Sequence, residues 1–130
     1  MRKTLISFAL LVASVAPAVA GTVSGEVKIK LQAAMSSYID SHVVDGIVRH
    51  VKLDSGEIVD LVPTKAHPMI LTLGDGYVLC TDFRDADGNF VNVDFYVTQV
   101  DGRFVVFQSE IANRAPLEAL MQKGVVAAVQ

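Results

Sequence analysis

The chain has few of the residues that build disulfide-linked or metal-clustered domains. It contains one cysteine, Cys80, and no tryptophan in 130 residues. A single cysteine cannot form a disulfide within the chain, and no C-x-x-C or H-x-x-x-H pair supplies a compact metal motif. Three roles stay open for Cys80: a buried apolar side chain, a disulfide to another chain, or a reactive or metal-binding thiol.

Basic residues are also scarce after the first few positions. Residues 1–20 hold two of the 11 Lys and Arg residues and none of the 14 Asp and Glu residues. Residues 21–130 therefore carry 9 basic and 14 acidic side chains, a formal charge of −5. Nucleic acids and anionic lipid surfaces are both recognised by clustered basic residues. We therefore expect no nucleic-acid partner, and no stable membrane anchor once residues 1–20 are removed.

Residues 1–20 have the layout of a secretory signal peptide. The second and third residues are basic, an apolar stretch follows to Val15, and Ala18-Val19-Ala20 is a small-x-small cleavage site. The apolar stretch is shorter than the roughly 20 residues that span a bilayer. Cleavage after Ala20 predicts a single mature domain, residues 21–130, that is periplasmic or secreted.

The mature sequence begins with a helical pattern. Its apolar residues recur at spacings of three and four, which places them on one face of a helix. Ser24 is suited to cap the start, and Asp45-Gly46 to end the helix. The apolar stripe consists of Val27, Leu31, Ala34, Met35, Tyr38, Ile39 and Val43. Such a stripe must be buried against another element.

About six antiparallel strands are predicted after this helix. The first two surround Asp54-Ser55-Gly56, and a three-residue loop there would place His50 opposite Asp60. The others run from Met69 to Leu73, Tyr77 to Arg84, Phe90 to Gln99 and Arg103 to Ser109, with Asp101-Gly102 as a type I′ turn. A short helix is expected from Pro116 to Lys123. The tail after it is either an edge strand or a loose end.

This order predicts an α+β roll, in which one long N-terminal helix packs on a curved antiparallel sheet and a short C-terminal helix follows. At that level, and over most of residues 21–130, the chain resembles the cystatin-like and NTF2-like folds. The Q-x-V-x-G hairpin with which cystatins inhibit cysteine proteases is not reproduced by Gln99-Val100-Asp101-Gly102. The resemblance therefore implies a fold, but neither protease inhibition nor an assigned set of isomerase carboxylates.

One face of the predicted sheet gathers polar side chains. A three-residue loop at 86–88 pairs Cys80 with Asp94 and Asp82 with Asn92, on the face opposite the helix. The next hairpin would pair Asp94 with Ser109 and Tyr96 with Phe107. The pocket candidates are thus Cys80, Asp82, Asn92, Asp94, Tyr96, Phe107 and Ser109. This face is either the solvated side of a sheet or a pocket in which neighbouring carboxylates raise one another's pKa.

Three functional hypotheses follow from these patterns. The first is a small exported binding or accessory domain, noncatalytic and without a cofactor, that binds another envelope protein or a small molecule in the curl of the sheet. The second is an NTF2-like enzyme in which Asp82 and Asp94 act as acid and base and Tyr96 donates a hydrogen bond. The third is a copper or zinc carrier, for which His67, Met69 and Cys80 are weak candidate ligands.

A calcium site is a further possibility at residues 85–89. Asp85-Ala86-Asp87-Gly88-Asn89 resembles part of an EF-hand loop, but no glutamate closes the loop at the required position. The same residues are those that hairpin turns prefer. We therefore expect a turn here.

Overall fold

The computed structural model describes residues 22–64 and 68–129, so the predicted leader and His67 lie outside the described residues. The described residues form two helices and seven strands, and the predicted α+β class is confirmed. They are α1 (Gly25–His42), β1 (Val48–Val51), β2 (Ile58–Pro63), β3 (Met69–Leu73), β4 (Gly76–Arg84), β5 (Phe90–Val100), β6 (Arg103–Ile111), α2 (Ala115–Gln122) and β7 (Val126–Ala128). Within these ranges, neither helix combines the length and apolar character needed to cross a bilayer.

Helix α1 begins and ends at the predicted signals. Ser24 is its N-cap, and the Ser24 hydroxyl accepts a hydrogen bond from the backbone N–H of Val27 at 3.3 Å. An N-cap hydroxyl of this kind satisfies one of the amides that a helix start leaves unpaired. At the other end, Asp45 and Gly46 both have positive φ angles, of 53° and 82°. The backbone therefore turns away from the helix where the sequence indicated.

The sheet is built around β4, and every strand pair in it is antiparallel. On one side of β4 lies β5, followed by β6. The other side is shared, because β3 pairs with the first half of β4 and β2 pairs with its last two residues. β1 extends the sheet beyond β2, and β7 extends it beyond β3. The tail of the chain is thus an edge strand, one of the two predicted alternatives.

Two apolar layers lie on opposite faces of this sheet. The first layer joins the α1 stripe, including fully buried Leu31, to β4 and β5 residues such as Phe83 and Phe95. The second layer lies under α2 and consists of Leu71, Val78, Cys80, Tyr96, Leu117 and Val126. β4 and β5 are therefore buried on both faces, which is unusual for antiparallel strands with one solvated side.

The β1–β2 hairpin differs from the prediction by its register. Asp60 lies opposite Arg49, and His50 lies opposite Val59. Arg49 donates two hydrogen bonds to Asp60, at 2.8 and 3.2 Å. The prediction was wrong because it counted Leu53 as a core residue, whereas Leu53 is 94% exposed in the turn.

The β5–β6 hairpin has the predicted turn but contains an unpredicted bulge. Asp101 and Gly102 have φ angles of 49° and 76°, as a type I′ turn requires. Further along, the pairing shifts by one residue between Tyr96 and Val97, because Phe107 is an extra residue in β6. Asp94 consequently pairs with Glu110 and Tyr96 with Gln108, so both predicted pairings beyond the bulge are wrong.

We expect Leu31→Asp to unfold the domain or to lower its free energy of unfolding by several kcal/mol. Leu31 is fully buried in the first layer, and an unpaired buried charge is costly to desolvate. Urea unfolding followed by circular dichroism measures the change. Ser36→Asp is the matched control, because Ser36 is exposed on the same helix. Equal unfolding midpoints for both variants would contradict the packing of α1 described above.

Candidate functional site

The structure places the predicted polar face on the side of the sheet away from α1, where the sequence indicated. We call it the acid–thiol face, because it carries Cys80, Asp82 and Asp94. Cys80 pairs with Asp94, and Asp82 with Asn92. The face is nevertheless not a solvated outer surface, because Cys80 is 5% exposed and Asp94 is fully buried. The second apolar layer and α2 cover it. The interpretation as an open polar surface is therefore wrong.

Asp94 is neutralised by a cation that the sequence analysis did not identify. Arg114 donates a hydrogen bond from Nη2 to Asp94 Oδ1 at 2.9 Å. Arg114 is the residue immediately before α2, and its side chain is 35% exposed. The hydrogen bond to Asp94 raises the pKa of the guanidinium. Because a buried carboxylate needs a partner, this ion pair ties the start of α2 to the middle of β5.

The Cys80 thiol is held in its neutral form. Burial, followed by the neighbouring Asp94 carboxylate, raises the pKa of Cys80 to about 12. Burial and the same carboxylate also raise the pKa of Tyr96. Since the thiolate is the nucleophile and the metal ligand, Cys80 at neutral pH has the character of a small core residue.

Two of the predicted pocket residues occupy other positions. Ser109 lies on the α1 face of the sheet, where its Oγ is 3.3 Å from the Tyr38 hydroxyl. Phe107 is the bulged residue and is 60% exposed, with its ring centre 6.4 Å from that of Tyr96. Glu110 takes the position opposite Asp94 instead. The shift of one residue at the bulge accounts for the position of Ser109, because it reverses which face the side chains beyond the bulge occupy. Phe107 stays on the face of Tyr96, but as the extra residue it has no partner in β5.

Asp82, the second predicted acid, is half-buried and lies diagonally across the β4–β5 pair from Asp94. The ionic partner of Asp94 is Arg114. Catalytic roles for Asp82, Asp94 and Tyr96 stay a prediction. Three buried atoms on this face have no hydrogen-bond partner among the described residues: Asn92 Oδ1, Asp94 Oδ2 and Arg114 Nε. A polar ligand atom or an ordered water would satisfy such groups.

The metal hypothesis stays a prediction because one of its residues, His67, lies outside the described residues. Met69 does pair with Cys80 across β3 and β4, and it is about half exposed. His42 is engaged elsewhere, with Nδ1 2.7 Å from the carbonyl oxygen of Tyr38. In residues 22–64 and 68–129, no group of three His, Cys, Asp or Glu side chains is placed to hold a metal ion.

The loop at residues 85–89 is a turn, as expected. The Asp85 carboxylate accepts hydrogen bonds from the backbone N–H groups of Asp87 and Asn89, at 3.0 and 2.8 Å. The Asn89 side chain donates a further bond at 3.1 Å. These donors lower the pKa of Asp85, and they use the oxygens that a calcium ion would require.

One feature of the sequence could have shown that Arg114 has a partner elsewhere in the fold. A basic residue directly before Ala115-Pro116 stands at the positive end of the helix dipole, where acids are normally favoured. A cation in that position indicates a partner elsewhere in the fold. Sequence spacing alone does not identify the partner, because Asp94 lies 20 residues earlier in the chain.

A second candidate site is the hairpin cleft, which lies between the β1–β2 hairpin and the β4–β5 turn and has a volume of about 650 Å³. Its residues include His50, Val59, Leu61, Val91 and Ala112, together with charged side chains at the rim. A cavity of this size falls in the range of small-molecule sites. The sequence analysis missed this site because it depends on the corrected register of β1 and β2.

Ala112 gives the hairpin cleft an unusual backbone. It has a φ angle of 53°, a left-handed conformation that residues with a Cβ atom seldom adopt. Its backbone N–H donates to the carbonyl oxygen of Asn92 at 2.8 Å. Ala112 therefore connects the wall of this cleft to the strand that carries Asp94.

The fold defines the class of the protein as an α+β roll in which both faces of β4 and β5 are covered. Comparison of the chain with family models, with curated proteins and with solved structures gave no match.

We expect Arg114→Met to lower the free energy of unfolding by about 3 kcal/mol, because Asp94 would remain as a buried, uncompensated charge. Arg49→Met removes an exposed ion pair and should cost less than about 1 kcal/mol. Urea unfolding of both variants tests the difference. A loss for Arg114→Met no larger than that for Arg49→Met would show that Asp94 does not depend on its partner.

The pKa of Cys80 predicts a dependence of stability on alkaline pH. A thiol whose pKa is higher in the folded state stabilises the fold below its unfolded value near 9, and that contribution is lost as the pH rises toward about 12. The difference in free energy of unfolding between wild type and Cys80→Ala should therefore shrink over this interval. A constant difference would contradict the buried, neutral thiol. Cys80→Ala also removes side-chain volume, but that cost does not vary with pH.

Proposed function

We propose that this chain is a small exported binding domain that does not catalyse a reaction. Its ligand would occupy the hairpin cleft. The observation that carries the proposal is the separation of two features: the reactive side chains are sealed under α2, whereas the hairpin cleft opens to the surface. Residues 1–20, with the layout of a signal peptide, support export to the periplasm or beyond.

The ion pair of Asp94 and the raised pKa of Cys80 support a structural role for the acid–thiol face. Asp94 is paired with Arg114, and Cys80 has a pKa near 12. A general base must reach the proton that it accepts, whereas Asp94 is fully buried. A nucleophile needs an accessible thiolate, whereas Cys80 is 5% exposed. The same groups do stabilise the contact between α2 and the sheet.

The lining of the hairpin cleft supports a small amphipathic cation as ligand. Val59, Leu61 and Val91 give it apolar surface next to the first layer. At the rim, the two basic residues are already in ion pairs, Arg49 with Asp60 and Lys52 with Glu57. Asp85 and Asp87, on the opposite wall, form no ion pair with a described residue. The cleft therefore has an excess of negative charge, which favours a cation.

We expect phenethylammonium to bind the hairpin cleft and phenylacetate, of the same size and opposite charge, to bind it several-fold more weakly. Titration of the ¹⁵N-labelled mature protein should shift the amide signals of Val59, Val91 and Ala112. Asp87→Lys should reduce the affinity for phenethylammonium about fivefold, since it reverses one exposed charge at the rim. Asp75→Lys is the control, because Asp75 is an exposed acid in the β3–β4 turn.

Three results would contradict this proposal. The first is equal binding of the two probes, and the second is a set of shifts confined to other parts of the domain. The third is turnover of a defined substrate by the mature domain that is lost in Asp94→Asn, which would favour the enzyme hypothesis with Asp82, Asp94 and Tyr96.

A further inference from the structure

We infer that the free edge of β6 binds an extended, acidic peptide segment of a partner protein, which adds to the sheet as a further strand beside α1. The inference rests on the proposed binding function and assigns to it a second surface, for a protein partner. The surface is the edge groove, which has a volume of about 560 Å³. It is lined by Lys30, Ala33, Ala34, Ser37 and Tyr38 of α1 and by residues 102–106.

The backbone of β6 offers unpaired hydrogen-bonding groups along this groove. In the described part of the chain, β6 pairs with β5 alone. The type I′ turn makes Val100 and Arg103 a hydrogen-bonded pair, and the bonding alternates along an antiparallel ladder. Val105 is therefore also bonded to β5, whereas the N–H and C=O groups of Phe104 and Val106 point outward. An extended peptide would bond to these two residues.

Small side chains of α1 leave room for a strand beside this edge. Ala33, Ala34 and Ser37 face the groove, and Ala33 and Ser37 are exposed. Neighbouring strands lie about 4.8 Å apart, so large side chains at these positions would close the space. The groove thus combines a free strand edge with a helix surface of small side chains. This arrangement leaves space for an added strand.

The charge of the edge groove specifies the kind of peptide. Among the described residues, its charged lining residues are Lys30 and Arg103. Lys30 is paired with Glu26 at 2.6 Å, whereas Arg103 forms no ion pair with a described residue. Arg103 therefore gives this edge a local positive charge on a mature chain whose formal charge is −5. A peptide with an acidic side chain next to Arg103 would complement it.

Neighbouring side chains and the bulge define the pattern and length of the peptide. Val105 and Phe107 are exposed apolar residues that adjoin the edge on the α2 face. They would contact every second side chain of an added strand, which favours apolar residues there. The bulge at Phe107 interrupts the regular edge, so pairing extends over Arg103–Val106, about 13 Å. Bulges also limit uncontrolled pairing between edge strands.

The test uses the acetylated peptide amide Val-Thr-Val-Thr-Glu-Thr as probe with the ¹⁵N-labelled mature protein. Its Glu lies on the same face as its two Val residues, because Arg103 and Val105 share one face of β6. We expect its binding to slow hydrogen exchange at the amides of Phe104 and Val106, while Arg103 and Val105, already bonded to β5, change little. A peptide methylated on alternate backbone nitrogens should lose at least about tenfold in affinity, since it lacks the ladder donors. Replacement of its Glu by Lys should weaken binding, and Arg103→Glu should reverse that preference.

Ser37→Leu and Ser36→Leu form a matched pair of variants. Both positions are exposed on α1, but only Ser37 lines the edge groove. We expect Ser37→Leu to reduce peptide affinity at least about tenfold by occupying the groove, and Ser36→Leu to leave it within about twofold. Neither change touches the buried stripe, so folding should be retained. Circular dichroism checks this point.

Several results would overturn the inference. They are no binding of the probe peptide, equal binding by the Ser37→Leu and Ser36→Leu variants, and uniform protection of all four amides from Arg103 to Val106. Protection of Phe104 and Val106 that rises with protein concentration in the absence of peptide would assign the edge to a second copy of this chain instead. Each of these results leaves the hairpin cleft unaffected, because phenethylammonium binding is measured at other residues.

Discussion

The burial of β4 and β5 on both faces is the constraint on which the rest of the structure depends. Their alternate residues enter opposite layers, so Leu79 and Phe95 meet α1 while Val78 and Tyr96 meet the C-terminal segment. Hydrophobic burial on two faces gives a short chain more core than one helix on one sheet face would provide. It also means that any polar residue on the second face must find its partner inside the protein.

Asp94 shows the result of that requirement. A carboxylate in the second layer has little contact with water, and the ion pair with Arg114 compensates for the lost hydration. The same carboxylate helps to raise the pKa of Cys80 and of Tyr96. In the fold, Asp94 thus attaches the start of α2 to the sheet through Arg114. The two proposed ligand surfaces, the hairpin cleft and the edge groove, lie at the margins of the sheet.

Local patterns predicted most of the fold. The spacing of the α1 stripe identified the helix, and the three-residue loop at 86–88 fixed the pairing of Cys80 with Asp94. The bulge at Phe107 was not predictable, because an extra strand residue leaves no mark in an alternating pattern. Val78 and Cys80 on the supposedly polar face were a signal that something covers it, but a contact between Asp94 and Arg114 depends on tertiary packing.

The division of the core between two layers has a consequence for biosynthesis. The first apolar layer is complete once Ile111 has been synthesised, but the second layer waits for Leu117 and Val126, which leave the ribosome later. Until then the nascent chain exposes an apolar sheet face beneath a partly formed domain. Surfaces of this kind are bound by chaperones and are prone to aggregation. Under the export proposed above, a chaperone that binds this face would keep the unfolded chain soluble.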